Sequence, residues 1–150
     1  MISATINKEI AQALKKQDRL RVSVLRMLSS ALNYKRIEKQ EDLSGEDEMA
    51  VVKAEAKKRR DAIEIYEKVK DRENVGEKLK REKAELVILK EYLPEELPES
   101  EIVKLVESAI SDSGAKAMSD MGKVIGIVMG KTKGAADGAK VAEIAKSKLG

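Results

Sequence analysis

The chain has 150 residues, 30 of them Lys or Arg and 27 Asp or Glu, for a formal net charge of +3. It contains no Cys, His, Trp or Phe, which excludes a disulfide framework, a thiolate nucleophile, Cys- or His-ligated metal sites and a Ser-His-Asp triad. Three tyrosines (Tyr34, Tyr66, Tyr92) set against abundant Lys, Glu, Ala and Leu favour helices over sheet.

The first expected helix carries Ile2, Ile6, Ile10 and Leu14 on one face, with Lys8 and Glu9 between them. It is amphipathic and lacks the unbroken apolar stretch of a signal peptide. No window approaches the roughly 20 apolar residues of a membrane span, so the cytoplasm is the expected compartment. A second helix follows Asp18 as its cap, with Leu20, Val24, Leu25, Leu28, Ala31 and Leu32 at helical spacing. After Leu43-Ser44-Gly45, Ser44 with Asp47 and Glu48 has the form of a capping box. The third helix then presents Met49, Val52, Ala56, Ile63 and Tyr66. Asn74 is the expected cap of a fourth, with Val75, Leu79, Leu86, Leu89 and Leu93.

The last two stripes match as an antiparallel hairpin. Tyr66 opposite Val75, Ile63 opposite Leu79, Ala56 opposite Leu86, Val52 opposite Leu89 and Met49 opposite Leu93 keep one register throughout. The same register sets Arg59 against Glu82, where both stripes lack an apolar residue, and predicts a contact there. Arg59 with Arg60 is then either part of an anion site or half of a partly solvated ion pair.

Pro94 and Pro98 end this region, because proline fixes its own φ and disfavours helix in the residue before it. Beyond them every base is Lys, and seven of the nine glycines follow. The predicted domains are therefore 1–97 and 98–150, in an all-α fold with an N-terminal helical domain and a small C-terminal three-helix domain. In the latter, Ser100 is the expected cap for Ile102, Leu105, Val106, Ala109 and Ile110. Ser119 plays that part for Met121, Val124, Ile125 and Val128, and Asp137 for Val141, Ile144, Ala145 and Leu149.

Charge is unevenly placed. Residues 1–40 hold nine bases and three acids, 41–48 five acids and no base, and 116–150 seven Lys and three acids. The basic ends suit phosphate backbones, and they equally suit solvated helix faces. Glycines recur every fourth residue at Gly122, Gly126, Gly130, Gly134 and Gly138. The first three form a bare stripe expected to flank the apolar face of one helix, each at a cost of about 1 kcal/mol relative to Ala. The compensating gain is either close approach of another helix or a ligand backbone lying on exposed peptide, its phosphates met by Lys123, Lys131 and Lys133. Gly130-Lys131-Thr132 is no nucleotide loop, since Ile125 stands where the motif needs glycine and a helix precedes it.

Leu89-Lys90-Glu91-Tyr92-Leu93-Pro94, Asp120-Met121-Gly122-Lys123-Val124-Ile125-Gly126 and Lys133-Gly134-Ala135-Ala136-Asp137-Gly138 together resemble the YqeY family of small bacterial proteins. The segment Gly126 to Gly134 is also similar to the tail domain of GatB, a component of glutamine-dependent aspartyl/glutamyl-tRNA amidotransferase. The resemblance implies an all-helical two-domain fold and a link to tRNA-dependent amidation, in which that tail holds tRNA while the chemistry sits elsewhere. Ala135 stands where the family usually carries Arg or Lys, and Lys90 where Gln is common.

Three functions follow as expectations. The first is a non-catalytic module binding tRNA or another structured RNA through Lys123, Lys131, Lys133, Lys140, Arg59 and Arg60, with Gly122, Gly126, Gly130 and Gly134 permitting close approach. Lacking an aromatic platform, it would read backbone and shape. The second is an adaptor docking by its glycine-lined helix onto an amidotransferase or an aminoacyl-tRNA synthetase. The third is a carbon–nitrogen ligase activity with glutamine as amide donor, for which the sequence offers no catalytic residues, metal ligands or cofactor motif.

Overall fold

A computed structural model describes residues 1–132 and 135–150. Among these the chain forms seven α-helices, one 3-10 turn and no strand: α1 (Ile2–Lys15), α2 (Arg19–Lys39), α3 (Gly45–Lys68), α4 (Val75–Lys90), α5 (Glu99–Ser113), the turn Met118–Asp120, α6 (Met121–Thr132) and α7 (Gly138–Leu149). The helices divide between two compact units, Met1–Leu93 and Pro94–Gly150. Among the described residues no helix is long and apolar enough to cross a membrane.

The core of the first unit gathers Ile6 from α1, Val24, Leu25, Leu28 and Leu32 from α2, Val52 from α3, and Ile88 and Leu89 from α4. Its local start signals are mostly met. Asp18 accepts a hydrogen bond from the Arg21 amide at 3.0 Å. Ser44 Oγ accepts from the Asp47 amide at 3.1 Å, and Asp47 Oδ2 accepts from the Ser44 amide at 2.8 Å, completing the capping box. Asn74 does precede α4, but in the left-handed region (φ 65°) and without a side-chain cap bond. α4 closes through Leu93 by a tightened turn, the amides of Tyr92 and Leu93 bonding the carbonyls of Leu89 and Lys90.

α3 and α4 pack as the expected hairpin, and its buried residues lie only near its base. From 60 to 84 no residue is fully buried, and Ile63, Tyr66, Val75 and Leu79 are half-buried in a two-helix arm. Glu48 lies in the apolar stripe of α3 and is only 2% exposed. Its carboxylate accepts from the amides of Ile2 (2.7 Å) and Ser3 (3.0 Å) and from the Ser3 hydroxyl. A side chain 46 residues away thus caps α1, where helix geometry leaves amides without intrahelical partners. Burial, the largest influence, opposes the Glu48 charge; these hydrogen bonds reverse it and hold the carboxyl below its ordinary range.

The second unit packs α5, α6 and α7 around Ile102, Val106, Ala109, Val124, Val128, Val141, Ile144 and Ala145, with no aromatic residue. Leu97 belongs to it: its amide donates to the Ala135 carbonyl at 3.2 Å, and its side chain packs against this core. The division between units therefore falls before Pro94, a few residues earlier than the composition shift suggests. Ser100 is not the cap of α5; the helix begins at Glu99 after Pro98, whose carbonyl accepts from the amides of Glu101 and Ile102. Glu99 and Glu101 place negative charge at its first turn.

Candidate nucleic-acid interface

α6 is held by Val124 and Val128, both fully buried against α5 and α7. Its entry is set by Asp120 rather than the expected Ser119, which lies inside the 3-10 turn. Asp120 Oδ2 accepts from the amides of Lys116 (3.1 Å) and Ala117 (3.3 Å), and these bonds hold its carboxyl below the usual range. An acid one residue beyond the serine was the available signal.

With Val124 and Val128 facing the core, the glycines take the opposite side. At 3.6 residues per turn, Gly126 points about 180° from the mean direction of the two valines. Gly122, Gly126 and Gly130 are all exposed, and a Cβ added to any of them would meet nothing within 4 Å. The stripe does not flank the apolar face, as the sequence suggested, and among the described residues no neighbouring helix fills it. None of the three has positive φ, which among glycines of the described residues belongs to Gly114 alone. Gly138 opens α7, and Gly134 and Lys133 lie outside the described residues.

The lysines are less concentrated than a phosphate cradle needs. Lys123 is exposed, has no ion pair among the described residues, and stands about 60° around α6 from Gly126. Lys131 is about 140° from Gly126, its amine 3.6 Å from Asp112 near the end of α5. The Lys140 amine, on α7, lies 3.8 Å from Glu99 at the start of α5. Those two acids are separated by about 20 Å of helix, so the structure draws Lys131 and Lys140 apart and leaves Lys123, among the described residues, beside the stripe without an ion pair.

Arg59 is not offered to a ligand. It is 7% exposed in the hairpin seam. Its Nε lies 2.8 Å from Glu85 and 3.7 Å from Glu82, and Nη1 lies 3.5 Å from Glu55. The predicted contact with Glu82 exists, but Glu85 is the closer partner, because long helical side chains lean toward their own N-terminus. In an antiparallel pair this lean brings a residue one turn later on α4 to the level of Arg59. Glu85 is tied in turn to Arg81 at 3.0 Å, and Glu55 to Lys58 at 2.7 Å. Arg60 is half-buried on the same helix. Among the described residues no group of three or more acids is placed to hold a metal ion.

Among the described residues the arrangement is exposed helix backbone, one adjacent amine without an ion pair and two loosely paired ones. A family model described as Yqey-like protein matches residues 3–149, nearly the whole chain. The chain belongs to the family of Yqey-like proteins. Comparison with curated proteins gives no significant match. The family match spans both units of this Yqey-like chain, so it covers the α3–α4 hairpin as well as the glycine-lined helix.

Proposed function

We propose that the C-terminal unit is a non-catalytic docking module for structured RNA, tRNA being the class to which the resemblance to the amidotransferase tail points. The observation that carries the proposal is the side-chain-free outer face of α6. Three helical glycines cost about 3 kcal/mol together relative to alanine, and among the described residues neither a packed neighbour nor a left-handed backbone repays it. A partner backbone laid against α6 does. A sugar–phosphate chain fits that approach, with Lys123 alongside and Lys131 and Lys140 held only at 3.6 and 3.8 Å from their acids, free to swing to phosphates.

The test is tRNA binding by the full chain across a salt series. Engagement of about three phosphates gives a slope of log K on log salt near −2 to −3, and Lys123→Ala lowers its magnitude by about one. Flat affinity, or none, refutes phosphate gripping.

The scattering of the lysines, with half-buried Ile125, Ile127 and Met129 beside the stripe, favours a second reading: a protein adaptor that seats a partner helix on α6, for instance from an amidotransferase or a synthetase. There Gly126→Leu abolishes association while Lys123→Ala and Lys131→Ala leave it intact. An ammonia-transfer assay on the isolated chain separates both readings from a ligase activity.

A further inference from the structure

The first unit has an exposed apolar face of its own. α2 shows Met27 (44% exposed) and Tyr34 (76%) to solvent, and Leu14 of α1 (51%) stands beside its start. These belong to two adjoining open grooves that share Arg26 and Met27, one of about 780 Å³ reaching Tyr34 and Val51 and one of about 480 Å³ reaching Leu14 and Val22. From Val22 to Tyr34 the trough follows α2 for about 18 Å, a little over three helical turns. It is therefore long and shallow, the shape that accepts another helix rather than a small ligand.

The charges along it choose the partner. Lys35 and Lys58 already hold Glu38 (2.9 Å) and Glu55 (2.7 Å) on the same rim. Asp18 accepts from the Arg21 amide and keeps its negative charge, set against two arginines. Arg19 and Arg26 have no ion pair among the described residues, and both line the trough. The excess charge is positive, and the apolar part of the floor is Met, Leu, Val and Ala. A nucleic acid would find a mostly apolar floor, broken by Gln17, Ser23, Ser30 and the Tyr34 hydroxyl, and would meet the carboxylates of Glu38 and Glu55 at its phosphates. A helix with an apolar stripe flanked by acids meets both conditions.

We infer that the outer face of α2 is a docking groove for an acidic amphipathic helix of a partner protein, its apolar residues seated against Leu14, Met27 and Tyr34 and its carboxylates on Arg19 and Arg26. Methionine suits such a surface, being flexible and polarisable enough to fit an irregular partner. The groove lies in the first unit, and its occupant does not depend on what the glycine-lined face of α6 binds.

The test uses the full chain and a fluorescein-labelled helical peptide of about 18 residues, with Leu at i, i+4, i+7 and i+11 and Glu on the flanks, beside a twin carrying Lys for Glu. Anisotropy should show the acidic peptide bound at least about tenfold more tightly. Tyr34→Ala, an exposed truncation that leaves the core untouched, should weaken it by about tenfold, and Arg26→Glu should reverse the preference between the peptides. Equal binding of both peptides, binding of neither, or loss with Arg26→Glu but none with Tyr34→Ala overturns the inference. So does self-association of the chain that Tyr34→Ala dissolves, or binding of a single-stranded RNA oligomer that the same two substitutions abolish.

Discussion

Replacing Arg59 with Met tests whether the hairpin is held by charge at its centre. The substitution keeps much of the apolar stem and removes the guanidinium from beside Glu85, Glu82 and Glu55. Removing one partner of a buried ion pair costs about 3–5 kcal/mol, because the remaining charge stays desolvated. Here the side chains of Glu85 and Glu55 are only 7% and 10% exposed, but Arg81 and Lys58 still hold them. The expected loss is therefore near the lower end, about 3 kcal/mol. The companion Arg59→Met/Glu85→Leu chain removes both halves of the shortest pair and should regain about 2 kcal/mol of it, a coupling within the range of contacting residues. Urea unfolding followed by tyrosine fluorescence isolates the effect, since Tyr34, Tyr66 and Tyr92 all lie in the first unit and the chain has no Trp. A loss below about 1 kcal/mol, or a double variant no more stable than the single one, would show that apolar packing alone sets the hairpin.

Gly126→Ala should stabilise the second unit by about 0.4–1 kcal/mol, because the added methyl meets nothing and the unfolded chain loses freedom. Thermal unfolding by far-ultraviolet circular dichroism measures it, and a destabilised variant would mean that the stripe is already covered. Glu48→Gln should cost about 2 kcal/mol at neutral pH by weakening the charged cap of α1. Because the folded carboxyl lies below its ordinary range, its contribution is complete above about pH 4–5 and fades as pH falls through the depressed folded value. The variant's acid limb should accordingly be shallower than the parent's, and parallel limbs would contradict the assignment.

What could be read from the sequence was what depends on near neighbours. Asp18, Ser44 and Asp137 cap the helices they precede, because each bond reaches only two or three residues along the chain. The hairpin was legible for the same reason, as two regular stripes joined by a short connection, and the contact of Arg59 with Glu82 is the part of its register that is met. Ser100 and Ser119 misled because α5 already begins at Glu99 after Pro98, and because Asp120 supplies the side-chain bonds at the entry to α6. The Glu82-for-Glu85 difference arises from side-chain lean, which residue numbers do not carry. Glu48, Glu55 and Arg59 share the helical spacing of Val52 and Ala56, a charged interruption of an apolar stripe that marks buried polar partners. Their identity depended on elements far along the chain. The glycine stripe was visible as a period of four. Its outward direction was not, since Met121 and Ile125 at helical spacing drew the expected core face toward one flank, whereas Val124 and Val128 define the face that is actually buried.

The clasp on α1 also bears on how the molecule is made. During synthesis α1 emerges before α3, to which the carboxylate that holds its opening turn belongs. Ile6 likewise has no complete burial site until α2, α3 and α4 are present. A nascent chain halted before Gly45 should therefore expose an amphipathic segment to chaperones and proteases, and protection should begin only when the hairpin has left the ribosome.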